Sequence, residues 1–169
     1  MTFDARHGFA FAVLGATMLC AGTANAHFIL TAPAADLEQN GVGDPQKEFP
    51  CGGAGTETGM ITAYQAGDTV TISVEETIFH PGHFRVALAV DDISELPPWP
   101  EVTEGNTACG TVEIMDPPVF PVLADGMLLH TEQLQGEQSF DVVLPDDVEC
   151  EACTLQVLMF MQEHGAPCF

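Results

Sequence analysis

Basic residues are what this 169-residue chain has least of: three Lys and Arg stand against 25 Asp and Glu, a formal net charge of −22 at pH 7. Beyond residue 26 the only strong cations are Lys47 and Arg85. Such a surface repels nucleic acid, anionic lipid and anionic polysaccharide, and it gathers cations. Neutral glycans and metal ions remain as partners, and the same charge equally suits plain solvation in salty surroundings. Aromatic supply is thin, with Trp99 and Tyr64 the single Trp and Tyr. No stretch after residue 26 is apolar for the length a membrane span requires. Helical periodicity, internal repeats and low-complexity tracts are also missing. These absences argue against a DNA- or RNA-binding role, a membrane span and a helical bundle.

What is present begins with a leader. Arg6 and His7 precede an apolar run from Phe9 to about Ala21, followed by the small-x-small site Ala24-Asn25-Ala26. The run is too short to span a bilayer and has the form of a secretory signal. Cys20 follows Met18 and Leu19, so the small residues of a lipoprotein signal are missing. A cut after Ala26 predicts a secreted or periplasmic, monomeric chain of residues 27–169, enough for one domain with a real core. It also makes His27 the first residue, with a free α-amine beside its own imidazole. Two nitrogen ligands on one residue favour copper. Taken alone, His27 reads as no more than whatever follows the cut, so the rest of the chain decides.

Cys51, Cys109, Cys150, Cys153 and Cys168 remain after the cut. In an exported chain they are disulfide candidates. Their odd number leaves one thiol unpaired, and with Cys168 one residue from the end, a C-terminal continuation carrying a sixth cysteine is expected. Cys150-Glu151-Ala152-Cys153 has redox spacing, but it lies in no βαβ pattern and among acidic neighbours, so structural cysteines are expected.

Residues 31–58 are rich in Pro, Gly, Asp and Glu and read as a long irregular segment pinned by Cys51. Thr69 to Val74 alternates as a half-buried strand does. Phe84 to Val90 forms a second strand, with Phe84, Val86, Leu88 and Val90 on one face. Residues 91–110 make an acidic, Pro-rich loop around Trp99. Shorter strands are expected at 111–115, 119–123 and 138–144, and another from Thr154 to Met161. A short helix is an option within 31–58 or 124–135. Short strands divided by Gly, Pro and Asp turns predict an all-β, antiparallel sandwich with long loops.

Five histidines follow the cut: His27, His80, His83, His130 and His164. Pro81-Gly82 makes a tight turn into the Phe84 strand, which puts His80 at an end of the sandwich, where sites are built. If the amino terminus runs along that end, one amine and two imidazoles from His27 and His80 form a T and leave the metal open to oxygen or peroxide. With Phe84, Val86 and Leu88 inward, alternation sends His83 and Arg85 to solvent, which ranks His80 ahead of His83 as the ligand. A zinc site from His80 and His83 fits no standard spacing and has no third ligand nearby. His130 reads as an ordinary surface residue. On the strand from Thr154, Leu155, Val157, Met159 and Met161 share one face, as core rather than as soft copper ligands. Gln162 and His164 share the other face just before Gly165. They suit hydrogen bonding around a metal, and a solvated strand end equally well.

With these pieces in hand, the chain resembles the lytic polysaccharide monooxygenases, and more closely the bacterial exported polysaccharide-monooxygenase-like proteins. The matching pieces are the signal ending before His27-Phe28, Pro50-Cys51-Gly52, and the run from His80-Pro81-Gly82-His83 to Leu88. Cys153-Thr154-Leu155-Gln156-Val157 and His164-Gly165-Ala166 complete them. They follow in order through most of residues 27–169, and the two histidine pieces are the chemically specific ones. The resemblance implies an immunoglobulin/fibronectin-III-like sandwich with a copper histidine brace, held by the amine and ring of His27 and the ring of His80. It implies His164, and Gln162 after it, as the side chains beside the metal. The chemistry implied is oxidative cleavage of a neutral polysaccharide or oligosaccharide, with copper reduced by an external electron donor before oxygen or peroxide is used. Members of the family continue into a strand with an axial Tyr or Phe and a final Cys, which has no counterpart up to Phe169. Their flat glycan-binding faces also carry several stacking rings, where this chain has only Trp99 and Tyr64. Two alternatives are a non-catalytic copper binder for uptake or storage, and a structural or adhesive sandwich without metal.

Overall fold

The computed structural model describes residues 27–44, 50–53 and 55–169. The expected leader, its cut after Ala26, and Lys47 lie outside them. In chain order the elements are β1 (His27–Ala32), β2 (Thr69–Ile78), β3 (Gly82–Ala89), a 3-10 turn (Ile93–Glu95), β4 (Val102–Thr103), β5 (Thr111–Val112), β6 (Val122–His130), β7 (Glu137–Val143) and β8 (Thr154–Met161). β1-β2-β7 and β6-β3-β8 form two antiparallel sheets, and β4-β5 a small hairpin. That order is A-B-E facing C′-C-F of an immunoglobulin-type sandwich. The expected all-β fold is therefore the observed one, and no helix among the described residues is long and apolar enough to cross a membrane.

Alternation explains the core. Val70, Ile72 and Val74 of β2 point inward with Phe28 of β1 and Phe140 and Val142 of β7. Phe84 and Val86 of β3 meet them from the other sheet, together with Met159 and Met161 of β8. Phe84 joins the layers by edge-on contact with Phe28, ring centroids 5.2 Å apart. Each such buried side chain contributes roughly 1.5–3 kcal/mol. β8 covers the residues expected of it, and its methionines are core as alternation required.

Three expectations change. The stretch offered as a short helix, 124–135, instead begins with strand β6. The segment read as irregular from residue 31 is preceded by β1, which runs to Ala32. Most consequentially, β3 is buried on both faces. Residues 91–117 fold across its outer side, where Leu96 packs on Ala87 and Ala89. Cys109, Phe160 and Phe169 form a further apolar cluster with Trp99. Arg85 and His83 are thus covered rather than exposed to solvent.

Gly82 decides how closely the β3 turn approaches β8. A Cβ there would lie 1.8 Å from the carbonyl oxygen of Phe160. Only glycine lets the backbones meet, and this brings Pro81 onto β8, where its carbonyl accepts from Gln162 N–H at 2.6 Å.

Candidate metal centre

The register gathers all five described histidines at one end of the sandwich. His27 opens β1 opposite Ile78, the last residue of β2. Gly82, at the start of β3, pairs with His130 at the end of β6 and with Met161 at the end of β8. His80 lies in the turn between β2 and β3, and His164 lies just beyond β8.

His80 and His164 meet edge to face, with ring centroids 4.4 Å apart. His164 is held by a Cys109 N–H bond to its carbonyl at 2.9 Å, while its Nδ1 lies 3.2 Å from the Pro167 carbonyl oxygen. That carbonyl only accepts, so the ring hydrogen sits on Nδ1. Burial lowers the pKa of His80, and His164 and His27 lower it further by charge, while Glu76 acts in the opposite sense. A neutral imidazole is the form that binds a metal. His80 Nε2 is buried without a hydrogen-bond partner. Such an atom is rare in a folded protein and calls for an explanation, a bound ion among them.

His27 is almost fully buried, and its Nε2 lies 3.1 Å from Asp44 Oδ1. Its carbonyl accepts from the Thr77 hydroxyl at 2.9 Å. Beneath the His80 turn sits Glu76, which continues the inward row Val70, Ile72, Val74. One carboxylate oxygen accepts from His80 N–H at 3.2 Å and lies 3.2 Å from His130 Nε2, and the other accepts from Leu134 N–H at 2.9 Å. His130 Nδ1 is 2.7 Å from the Leu128 carbonyl oxygen. His130 is therefore a buried structural residue, contrary to its reading as a surface one, because β6 and Glu76 draw it inside.

His83, the runner-up ligand, is engaged elsewhere. Its Nε2 lies 3.3 Å from Asp125 Oδ1, and Arg85 binds the other oxygen. Met115 N–H and Gly126 N–H donate to the same carboxylate at 2.9 Å each. Burial alone would raise the Asp125 carboxyl, but the hydrogen bonds of His83, Arg85 and Met115 and the Arg85 charge outweigh it and hold it well below the usual carboxylate range. The cluster pins residues around Met115 to the outer face of β3. Gln162 is half-buried, with its backbone tied to Pro81.

Cys109 pairs with Cys168, and Cys150 with Cys153. Of the five candidates, Cys51 is the free thiol, so it does not pin its segment by a disulfide. Instead the Gln156 side chain holds the neighbouring Pro50 carbonyl. Cys51 is an exposed residue at the rim of a cavity of about 220 Å³ between β1 and β8, yet packed neighbours and the Asp36 charge push its thiol up to about 11. A thiol so shifted is a poor nucleophile at neutral pH. Trp99 lines the same cavity and packs at a tilt against Phe169, centroids 5.3 Å apart.

Among the described residues, no set of three or more His, Cys, Asp or Glu side chains is arranged to hold a metal. A site of two rings and a terminal amine needs no third side chain. At this end of the sandwich the His80 ring packs against His164 and feels the charge of His27. Sequence reasoning missed Asp44, Glu76 and the role of His130. Glu76 had a legible signal, a carboxylate at the next position of an inward-facing row. Asp44 had none, since its contact depends on how its loop folds. No family model, curated protein or solved structure matches the chain.

Proposed function

We propose that this chain, once cut to begin at His27, is an exported copper-binding protein of polysaccharide-monooxygenase type. His27 would supply its amine and ring, and His80 its ring. The observation that carries the reading is His80 Nε2, a buried nitrogen with no partner, on a ring packed against His164 and within electrostatic reach of His27. Nitrogen donors of this kind favour copper. When bound, copper would supply one-electron chemistry toward oxygen or peroxide, and the activity proposed is oxidation of a neutral glycan. This chain's own residues keep His80 neutral, hold its turn through Glu76 and Gly82, and place His164 alongside. The strongly acidic surface restricts the substrate to uncharged or cationic sugars.

One observation favours a second reading, copper carriage without catalysis. Trp99 is packed on Phe169, and Tyr64 lies in the segment before β2, at the end of the sandwich opposite the histidines. Tyr64 therefore stands away from the histidine end, and the Trp99 ring is engaged by Phe169.

Paramagnetic resonance of the copper-loaded, processed protein tests the metal site. Three nitrogen ligands are expected, reduced in number by an extra Ala before His27. A spectrum unchanged by that Ala refutes the proposed ligand set. Incubation with cellulose, chitin and soluble glycans plus a reductant, read by mass spectrometry, separates the two functions: oxidised oligosaccharides refute simple carriage.

A further inference from the structure

We propose that Asp44 is a positioning residue that sets which nitrogen of His27 is offered to the metal. The inference rests on the copper reading above and deepens it. Asp44 Oδ1 lies 3.1 Å from His27 Nε2. A carboxylate only accepts, so the contact holds the ring hydrogen on Nε2 and turns the lone pair of the neutral ring to Nδ1. For a first-residue histidine, that choice decides whether a chelate is possible at all. Nδ1 is separated from the α-amine by few bonds, and the two can close a small ring on one metal ion. Nε2 lies on the far side of the imidazole and cannot close such a ring.

The loop carrying Asp44 is built to hold this carboxylate. Asn40 N–H donates to the Asp44 carbonyl at 3.0 Å, and Gly43 N–H to the Asn40 carbonyl at 2.9 Å. The Asn40 side-chain oxygen accepts from Val42 N–H at 2.9 Å and from Asp44 N–H at 3.1 Å. Its amide nitrogen donates to Asp44 Oδ2 at 3.0 Å, which leaves Oδ1 aimed at the imidazole. The Thr77 hydroxyl lies 2.9 Å from the carbonyl oxygens of both Val42 and His27, tying the loop and β1 to β2. A carboxylate on the remote nitrogen also raises the basicity of a ligating imidazole, and loss of such a partner typically weakens metal binding 10–100-fold.

The test uses the processed chain as wild type, D44A and D44N, each first shown to melt cooperatively. Asp44 is half-exposed in its loop, so both variants are expected to fold. Long-range nitrogen NMR of the metal-free protein should find the hydrogen of His27 on Nε2 in the wild type and redistributed toward Nδ1 in D44A. Competition titration with copper should give a 10–100-fold weaker Kd for D44A. D44N keeps an oxygen acceptor at that position and should recover most of the loss. A wild-type ring with its hydrogen on Nδ1, or a D44A protein that binds copper as tightly as the wild type, overturns the proposal and leaves the copper reading standing. A wild type that binds no copper overturns that reading, and with it the role given to Asp44.

Discussion

Glu76 accepts hydrogen bonds inside the sandwich at both carboxylate oxygens, so its exchange for Gln should cost far more than a one-atom change suggests. Oxygen Oε1 faces His80 N–H and His130 Nε2, both at 3.2 Å, and Oε2 faces Leu134 N–H at 2.9 Å. Glutamine has a single acceptor. If its oxygen stays with His80 and His130, its new amide donor points at the Leu134 N–H, and a hydrogen bond to a charged group worth about 1.5–3 kcal/mol is lost. Two opposed donors then compete for no acceptor, at a further cost of about 1–3 kcal/mol. The flipped amide instead sets its donor against His80 N–H, so one opposed pair remains in either orientation. Leu134 is only half-buried, so water relieves part of this. The net loss for E76Q should be about 2–4 kcal/mol, which for a domain of this size is on the order of 10 °C in Tm. Glu75 supplies the internal control, because it is exposed and faces Glu137 across the sheet. E75Q should stay within about 0.5 kcal/mol of the wild type. Urea denaturation of the metal-free proteins measures both, and an E76Q variant as stable as E75Q would refute the account of how the His80 turn is held.

Other perturbations probe separate parts of the structure. H80A removes a buried nitrogen without a partner but also a ring packed edge-on against His164, so the metal-free protein should lose about 1–2 kcal/mol from ring packing alone, while any rise in Tm on adding copper disappears. Calorimetry with and without copper reads both, and a large loss without copper would contradict the orphan status of Nε2. Asp125 has a folded pKa below its unfolded value of about 3.9. Its contribution is therefore complete above that unfolded value and is lost as pH falls through the folded one. The stability gap between wild type and D125N should be widest above pH ~4 and narrow progressively in stronger acid, as followed by urea melts across pH. The disulfides differ in the loop they close. Cys109–Cys168 spans 59 positions and Cys150–Cys153 three. Chain-entropy reasoning gives about 4 kcal/mol for the first and about 2 kcal/mol for the second. C168S should accordingly lower the urea midpoint more than C153S, and the reverse order would refute the estimate.

Local pattern made much of this molecule readable. Period-two alternation at Thr69–Val74 and Thr154–Met161 marked strands and their inward faces, and turn residues set off the rest, because a strand half-buried in a sandwich must alternate. The same logic ended β2 early. Glu75-Glu76 breaks the apolar alternation, although the strand continues to Ile78 with Glu76 still pointing inward. A buried carboxylate is tolerable only with donors to satisfy it, and those come from His80, His130 and Leu134, in a turn and in elements distant along the chain. His83 and Arg85 failed for a similar reason. Alternation placed them on the face opposite Phe84, but whether that face meets water depends on where residues 91–117 fold.

From the sequence alone follow the all-β class, the acidic surface and the strand faces, since each depends on composition or on neighbours a few residues apart. Tertiary structure alone decided that Cys51 is the free thiol among the described cysteines, that five histidines share one end, that His80 meets His164, and that Asp44 and Glu76 hold their partners. Those outcomes depend on contacts between residues far apart in the chain, and only strand register and loop course bring such residues together.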